Sequence, residues 1–267
     1  MLKNLLKSEY GPNVINRFSI IFHNYGATEK ILNHFVNKGY DDKQIFKLCH
    51  TYYWKNLKQD PNRTVAAEYR AKAKSNILKK LLNGIKYNKK GYLDIGCEEC
   101  ILPLSFGEVL GIKNINCVNI KDWESTYNID KSDMTKCQFK YYNGVDLPYE
   151  NNTMSVISAT MVLHHIDPKN RDKLLSSVNK SLINGGLLII REHDSVNKLF
   201  DDYVNFEHRF YDAILLKKFH WLDKYTTYYQ SAKDWQLEIE RKGFKLVRHK
   251  FFDKKADRPF MEIYVKQ

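Results

Sequence analysis

The residues at the end of one apolar segment could bind a nucleotide-like cofactor. Residues 92–111 read YLDIGCEECILPLSFGEVLG, in which an apolar strand runs into Asp94 and Gly96 and then into a helix. Glycine lets a backbone approach a ligand closely, and the start of a helix presents amides that have no partner inside the helix. The pattern predicts a cofactor site, around which we expect the rest of the chain to be organised.

Two more polar sets follow apolar segments. His164 and His165 come at the end of one segment, and Arg191-Glu192-His193-Asp194 at the end of another. Open α/β sheets bind ligands at the carboxyl ends of their parallel strands, so both sets are candidates for catalysis or substrate binding. Because neighbouring strand residues point to opposite faces, we expect one packed and one site-facing histidine, and one residue of 191–194 that orients substrate.

The cysteines allow other chemistry. Cys97-Glu-Glu-Cys100 is formally a CxxC motif, which is typical of a redox pair or half a zinc site. The sequence has no second CxxC and no HxxxH to complete a ligand set, and the motif lies inside the expected cofactor loop. We therefore predict no metal. Five cysteines are an odd number in a chain of 267 residues, which argues against a disulfide framework and favours a reducing compartment.

No segment indicates a membrane protein. The longest apolar run, Val156 to Leu163, is too short to cross a bilayer, and the initial MLKNLLK lacks the apolar stretch of a signal peptide. We expect a soluble, cytoplasmic protein without a membrane partner; the oligomeric state is not predicted.

The elements after Gly111 alternate between short apolar runs and helical stretches, which is typical of a parallel sheet with helices on both faces. Gly185-Gly186 and Gly243 are expected to end helices before strands. The predicted strands are Ile115–Ile120, Met154–Leu163, Leu187–Arg191, Phe244–Phe251 and Met261–Val265, and the predicted helices are Asn170–Leu182, Leu199–Phe219 and Ala232–Lys242.

The first 90 residues are predicted to be helical. Asn13 to His23 has helical spacing, Thr28 is expected to cap a helix that ends at Gly39, and Asp41 with Gln44 resembles a capping box. A long basic helix is predicted from Thr64 to Leu82, with an apolar stripe at Tyr69, Ala73, Ile77 and Leu81 that Leu78 and Leu82 widen.

The net charge of +12 lies entirely in this part of the chain. Residues 1–90 contain 18 Lys/Arg and 6 Asp/Glu, whereas residues 91–267 contain 25 of each. Such segregation suggests contact with RNA or DNA phosphates, although a solvated helical face would have the same composition. The candidate contacts are Tyr69, Arg70, Lys79 and Lys80.

Four segments together resemble the class I S-adenosylmethionine-dependent methyltransferases, with a type 11-like pattern. They are LDIGC at 93–97, DLPYENNTMSVISATMVLHHI at 146–166, LINGGLLII at 182–190 and YYQSAKDWQLEIERKGFKLV at 228–247. The resemblance implies an α/β, Rossmann-like, doubly wound seven-stranded sheet with an antiparallel last strand over residues 91–267. Residues 1–90 would then be a helical extension that acts in substrate binding or as a lid.

The resemblance also implies roles for individual residues. The cofactor, S-adenosylmethionine, would lie near Asp94, Gly96, Cys97, Asn119, Asn143 and Asp146. The residues nearest the methyl group would be His164, His165, Arg191 and Glu192, with His193 and Tyr228 at the substrate. The loop departs from the family pattern, because Glu98 and Cys100 stand at two positions that are usually glycine.

The methyl acceptor is expected to be RNA. The Lys-Asp-Lys-Glu set of familiar 2′-O-ribose methyltransferases has no counterpart at the expected strand ends. A ring nitrogen such as guanine N7, for example in a cap, is already nucleophilic and needs mainly positioning by aromatic stacking. The candidate stacking residues are Tyr52, Tyr53, Trp54, Tyr69, Trp221, Tyr225, Tyr228 and Tyr229. The alternatives are a small-molecule methyltransferase and a non-catalytic subunit that uses the fold as a scaffold.

Overall fold

The computed structural model describes residues 1–56, 63–97, 100–121, 136–215, 226–252 and 256–267. The chain divides into two compact units, one of residues 1–60 with 195–226 and the other of residues 61–194 with 227–267. The basic helix, which the sequence analysis placed in the N-terminal extension, therefore lies in the same unit as the sheet. None of the helices in the described ranges is both long enough and apolar enough to span a membrane.

The second unit is built on one seven-stranded sheet. Its order is β3-β2-β1-β4-β5-β7-β6, and β7 is antiparallel to both of its neighbours whereas the other pairs are parallel. This confirms the α/β doubly wound sheet with an antiparallel last strand. The strands are β1 (Tyr92–Ile95), β2 (Ile115–Ile120), β3 (Gln138–Tyr142), β4 (Met154–Thr160), β5 (Leu182–His193), β6 (Phe244–Phe251) and β7 (Pro259–Lys266).

Some strand ends differ from the predictions. β4 stops at Thr160, because Met161 takes a left-handed φ of 61° and the chain turns there. β5 begins at Leu182, so Gly185 and Gly186 lie inside the strand and do not precede it. The edge strand β3 was missed, because QFKYY is largely polar and its side chains remain at least partly exposed.

The described helices are α1 (Leu2–Leu6), α2 (Gly11–Phe22), α3 (Tyr25–Asn37), α4 (Asp42–Asn56), α5 (Arg63–Leu81), α6 (Ile101–Leu110), α7 (Pro168–Ser181), α8 (Lys198–Phe210) and α9 (Ala232–Glu240). Helices α5 and α6 cover one face of the sheet, where Leu78 and Phe106 join an apolar core. Helices α7 and α9 cover the other face, where Leu174 and Trp235 do the same. The sheet is thus buried on both sides, as its apolar strands require.

The buried stripe of α5 differs from the predicted one. Tyr69 is 75% exposed and Ala73 is also exposed, whereas Ala71 and Ser75 are buried. Ser75 Oγ lies 2.6 Å from Ser105 Oγ on α6, so the two helices meet through small residues. The predicted stripe is confirmed at its C-terminal end, where Ile77, Leu78, Leu81 and Leu82 contact the apolar core. It was wrong at Tyr69 and Ala73, because the prediction counted apolar residues and overlooked a serine contact.

The first unit joins α1 to α4 with α8. Phe18 packs against Phe46, Phe206 and Phe210 with ring centroids 5.1–5.9 Å apart. The capping box is confirmed, since the Asp41 and Gln44 side chains accept each other's backbone amides. The cap of α3 is Asn24, not the predicted Thr28, which is buried and donates to the Asn24 carbonyl.

The predicted helix Leu199–Phe219 corresponds to α8 followed by a wider helical turn at Tyr211–Leu215. Its last predicted residues, 216–219, lie outside the described ranges.

Candidate active site

The loop after β1 passes so close to the turn after β4 that only glycine fits at position 96. Gly96 has a φ of +77°, and a Cβ at this position would lie 2.4 Å from Val162 Cγ2. The Gly96 amide donates to the Val118 carbonyl at 2.9 Å, which ties the loop to the end of β2. The requirement for glycine is therefore both conformational and steric.

Asp94 is a buried carboxylate at the end of β1. It is 3% exposed and accepts a hydrogen bond from the Ser158 hydroxyl, whose Oγ lies 2.8 Å from the Tyr92 hydroxyl. Burial raises the pKa of Asp94 to about 7, although the hydrogen bonds of Ser158 and Tyr92 and the charge of Lys74 act in the opposite direction. A cation brought next to this carboxyl would favour its ionised form.

The other predicted cofactor residues lie at the ends of the neighbouring strands. Asn119, at the end of β2, is 6% exposed and donates from Nδ2 to the Cys97 carbonyl at 3.0 Å. Asn143 and Asp146 are exposed in the loop after β3, where Asn143 Oδ1 accepts from the Asp146 amide at 2.7 Å. Parallel pairing of β1, β2 and β3 brings these three strand ends to one edge of the sheet.

A buried glutamate holds the turn after β4. Glu192 Oε1 accepts the amides of Val162 and Leu163 at 3.1 and 2.7 Å, and Oε2 lies 2.5 Å from His164 Nδ1. The side chains of Glu192 and His164 are 0% exposed. Both were predicted to face the methyl group, and their described contacts are within the protein, where Glu192 holds the turn.

Burial keeps His164 neutral. Desolvation, with the nearby charges of Arg191 and Arg171, lowers the pKa of His164 to about 3, whereas desolvation raises the pKa of Glu192. A neutral imidazole that donates from Nδ1 to the carboxylate agrees with this contact. His165, by contrast, is exposed, with its ring centroid 4.0 Å from that of His164.

The structure adds a residue that sequence reasoning missed. Arg171, 2% exposed on α7, donates to the carbonyls of Leu163 and Ile166 at 3.3 and 3.1 Å and forms a bidentate pair with Glu238. It therefore supports the turn after β4 from the side opposite Glu192. No sequence signal singled it out, because an arginine in an amphipathic helix is usually a surface residue.

Aromatic and imidazole rings surround His164. The Tyr229 ring stacks on the His164 ring with centroids 5.1 Å apart. The His193 ring meets the His164 ring edge-on, with centroids 5.5 Å apart. His193 Nδ1 lies 2.6 Å from the Asp257 carbonyl oxygen, and desolvation lowers its pKa to about 4. Tyr228 contacts the cluster through its backbone, donating its amide to the His164 carbonyl at 2.8 Å.

Arg191 points away from Glu192, as adjacent strand residues do. It is 6% exposed, its guanidinium lies 5.2 Å from the centre of the Phe252 ring, and its Nε has no hydrogen-bond partner within the described part of the chain. Its carbonyl accepts the Met161 amide at 2.7 Å, so its backbone also braces the turn after β4.

The predicted RNA contacts lie elsewhere in the same unit. Tyr69, Arg70, Lys79 and Lys80 are all exposed on α5. Lys79 borders a cleft with Lys86, Tyr87 and Lys89, and the Tyr87 hydroxyl donates to the carbonyl of Leu110, the last residue of α6. Lys79 is thus near the end of α6 that is farther from the β1 loop. Glu98, Trp221 and Tyr225 lie outside the described residues.

Comparisons with known proteins agree with this architecture. A family model described as a methyltransferase domain matches residues 66–249. No curated protein gives a significant match.

Solved structures match at low identity and therefore show the fold alone. A geranyl diphosphate methyltransferase in complex with SAM is 9% identical, with a TM-score of 0.53 over 79% of this chain and 93% of that chain. A "possible histamine N-methyltransferase" from Thermotoga maritima is 12% identical, with a TM-score of 0.51 over 77% and 94%. The [4+2]-cyclase SpnF is 11% identical, with a TM-score of 0.51 over 73% and 81%.

Proposed function

The chain belongs to the methyltransferase-domain family, and on that basis we propose that it transfers the methyl group of S-adenosylmethionine to a base nitrogen of RNA. The proposed binding of S-adenosylmethionine rests on the corner formed by Asp94 and Gly96, where a buried carboxylate adjoins a loop that only glycine can form. The proposed binding of RNA rests on the basic surface that residues 61–90 form in the same unit. We place the protein in a reducing, cytoplasmic compartment.

The residues at the sheet edge fit S-adenosylmethionine. The donor supplies a sulfonium methyl and a zwitterionic amino-acid end, for whose ammonium group Asp94 offers a carboxylate. Asn119 offers an amide to the ribose hydroxyls, and Asn143 and Asp146 offer exposed polar groups to adenine. The protein's contribution to the transfer would be alignment and exclusion of water, with Glu192 keeping the turn after β4 in place.

A ring nitrogen suits this site better than a hydroxyl as methyl acceptor. His164 is neutral and its Nδ1 contacts Glu192, so the buried pair is committed to holding the turn. A hydroxyl acceptor must lose a proton to a base, whereas a base nitrogen such as guanine N7 attacks with its own lone pair. Exposed His165 remains the side chain of the set that could contact the acceptor.

The charge of the second unit favours a polyanionic acceptor. Residues 61–90, which belong to this unit, contain nine of the 18 Lys/Arg in residues 1–90 but only one of the 6 Asp/Glu. Lys72, Lys79, Lys80, Lys86 and Lys89 are all exposed. On β6, Arg248 donates to the Asn83 carbonyl at 3.5 Å, which continues the positive surface onto the edge of the sheet. Phosphates bound along this surface would hold RNA by charge.

Replacing Lys79 and Lys80 together with glutamate should weaken RNA binding and reduce its salt dependence. Each lost phosphate contact to a single strand contributes about 0.7 to the slope of log affinity against log salt, so the slope should shrink by about 1.4. Fluorescence anisotropy with a labelled RNA over a salt series measures both quantities.

The matched control is the double change Lys169→Glu and Lys173→Glu. Both lysines are exposed on α7, which covers the other face of the sheet, and the change in net charge is the same. If both double variants weaken binding equally, the effect comes from net charge and the RNA surface on α5 is refuted.

Donor binding should depend on the protonation of Asp94. Because burial raises its pKa to about 7, the protonated carboxyl stabilises the free protein at low pH, and this contribution is lost as the pH rises through about 7. A cationic donor prefers the carboxylate, so its affinity should rise about tenfold per pH unit below pH 7 and then level off.

Two variants test this linkage in calorimetric titrations over pH. Asp94→Asn should remove the pH dependence, and Ser158→Ala, which deletes the hydrogen bond that opposes the rise in pKa, should move its midpoint upward. An unchanged pH profile in Asp94→Asn would show that another group is titrating.

A small-molecule acceptor is the second candidate. The packed rings of His164, His193 and Tyr229 resemble the wall of an enclosed pocket more than an RNA groove. The geranyl diphosphate and "possible histamine" methyltransferases, by their names, act on small molecules. Transfer assays with labelled S-adenosylmethionine decide the matter, because a metabolite enzyme would not methylate RNA and the Lys79/Lys80 variant would keep full activity.

A further inference from the structure

Three of the five cysteines form one buried sulfur group, and a fourth lies beside it. The Sγ atoms of Cys97, Cys100 and Cys117 all lie within 4.8 Å of one another. Cys137 is outside this group of three, and its side chain neighbours those of Cys100 and Cys117. All four are less than 10% exposed and none forms a disulfide. The fifth, Cys49, is buried on α4 in the other unit.

Strand register brings these cysteines together. Cys97 and Cys100 flank the loop after β1, Cys117 lies on β2 opposite Asp94, and Cys137 immediately precedes β3. The sequence offers one CxxC and three isolated cysteines, so it shows only half of a zinc-binding pattern. The two ligands that appeared to be missing come from neighbouring parallel strands.

The arrangement favours a thiophilic cation over a disulfide. A single disulfide would use two of the four sulfurs and leave the others as buried thiols, whereas a tetrahedral zinc ion uses all four. Hard cations such as Mg²⁺ and Ca²⁺ prefer oxygen ligands, which this cluster does not provide.

We propose that Cys97, Cys100, Cys117 and Cys137 bind one Zn²⁺ ion in a closed structural site behind the loop after β1. Binding forms four zinc–sulfur bonds in place of four sulfur–hydrogen bonds and releases the four thiol protons to solvent. With four protein ligands the ion has no open position for a substrate, so its role is to fix the loop. The Cys97 carbonyl accepts the Asn119 side chain at 3.0 Å, so the same ion would hold a second candidate donor-binding residue in place.

Elemental analysis of the full-length chain, purified under reducing conditions without chelator, tests the proposal. One zinc per chain is expected, and reconstitution with Co²⁺ should give the intense visible absorption of a tetrahedral thiolate site. Cys100→Ser and Cys117→Ser should lose stoichiometric binding, whereas Cys49→Ser, the matched control from the other unit, should keep it. Removal of zinc from the wild-type protein with a chelator should lower the midpoint of the protein's thermal unfolding by several degrees.

Wild-type protein that contains no zinc and gives no thiolate Co²⁺ spectrum would overturn the proposal. So would a spectrum that persists unchanged in Cys117→Ser. Should the serine variants fail to fold, the wild-type stoichiometry and spectrum still decide. These readouts do not use S-adenosylmethionine, so failure of the proposed methyl transfer and failure of the zinc site remain distinguishable.

Discussion

Replacing Gly96 with alanine should abolish S-adenosylmethionine binding and destabilise the protein. The added methyl would occupy a site 2.4 Å from Val162 Cγ2, and the φ of +77° is unfavourable for any residue with a Cβ. Strain of this kind costs about 1–3 kcal/mol, and overpacking costs a similar amount. The loop must move away from Val162, and we expect a loss of affinity of about a hundredfold or more, or about 2.7 kcal/mol.

Gly185→Ala is the matched control. Gly185 also has a positive φ, of +71°, but nothing lies within 4 Å of its added Cβ. It should therefore cost only the conformational strain, about 1–2 kcal/mol, and leave donor affinity unchanged. Chemical denaturation of both variants measures the loss of stability, and calorimetry measures the loss of donor affinity. Together they separate backbone strain, which both variants share, from the steric overlap with Val162, which only Gly96→Ala has. Equal effects of the two substitutions on affinity would contradict the close approach of the loop and the turn.

Glu192→Ala should cause the largest loss of stability among these changes. Its carboxylate accepts from the amides of Val162 and Leu163 and from His164, all in the protein interior. Removing one partner of a buried polar network typically costs about 3–5 kcal/mol. Methyl transfer should fall with it, because the turn that Gly96 contacts loses its anchor.

Glu192→Gln should restore most of that stability while changing the histidine. The glutamine oxygen can still accept the two amides, and its NH₂ group then faces His164 Nδ1, which must become an acceptor. The His164 proton should move from Nδ1 to Nε2, which nitrogen-15 NMR detects directly. Because the turn after β4 keeps its anchor, folded Glu192→Gln should retain most of its methyl transfer. Loss of transfer in this folded variant would show that the charge of Glu192 or the tautomer of His164, and not the anchoring of the turn, controls the reaction.

Glu262→Gln is the control for burial alone. Glu262 is 1% exposed on β7 and contacts His249 and Tyr264, away from the turn after β4. Its substitution should affect stability but not donor affinity. If Glu262→Gln impairs transfer as much as Glu192→Ala does, the anchoring role assigned to Glu192 is not specific.

Local pattern was enough to predict most of the sheet. The apolar runs at 115–120 and 244–251 matched β2 and β6 residue for residue, and the family resemblance supplied the reversed last strand. β3 was missed because an exposed edge strand has no apolar run to reveal it. The stripe of α5 was wrong only at Tyr69 and Ala73, because the contact between Ser75 and Ser105 depends on where α6 lies, which no periodicity within α5 encodes.

The sequence was enough to predict where the site residues lie along the chain, but not which contacts they make with one another. The sequence indicated that Asp94, Gly96, His164 and Glu192 follow strands, and parallel pairing places them near one edge. It could not indicate that Val162 requires glycine at position 96, because that constraint is set between separate strands. For the same reason, the sequence did not show that Arg171 donates to the turn after β4, or that Cys117 of β2 lies beside the cysteines of the CxxC motif.

Calorimetric titration of the wild-type chain with S-adenosylhomocysteine tests the central claim most directly. We expect saturable heat with one molecule bound per chain, retained in Gly185→Ala and lost in Gly96→Ala. An absence of heat from folded wild-type protein at millimolar ligand would contradict the donor site, and the fold would then serve as a basic scaffold without methyl-transfer activity.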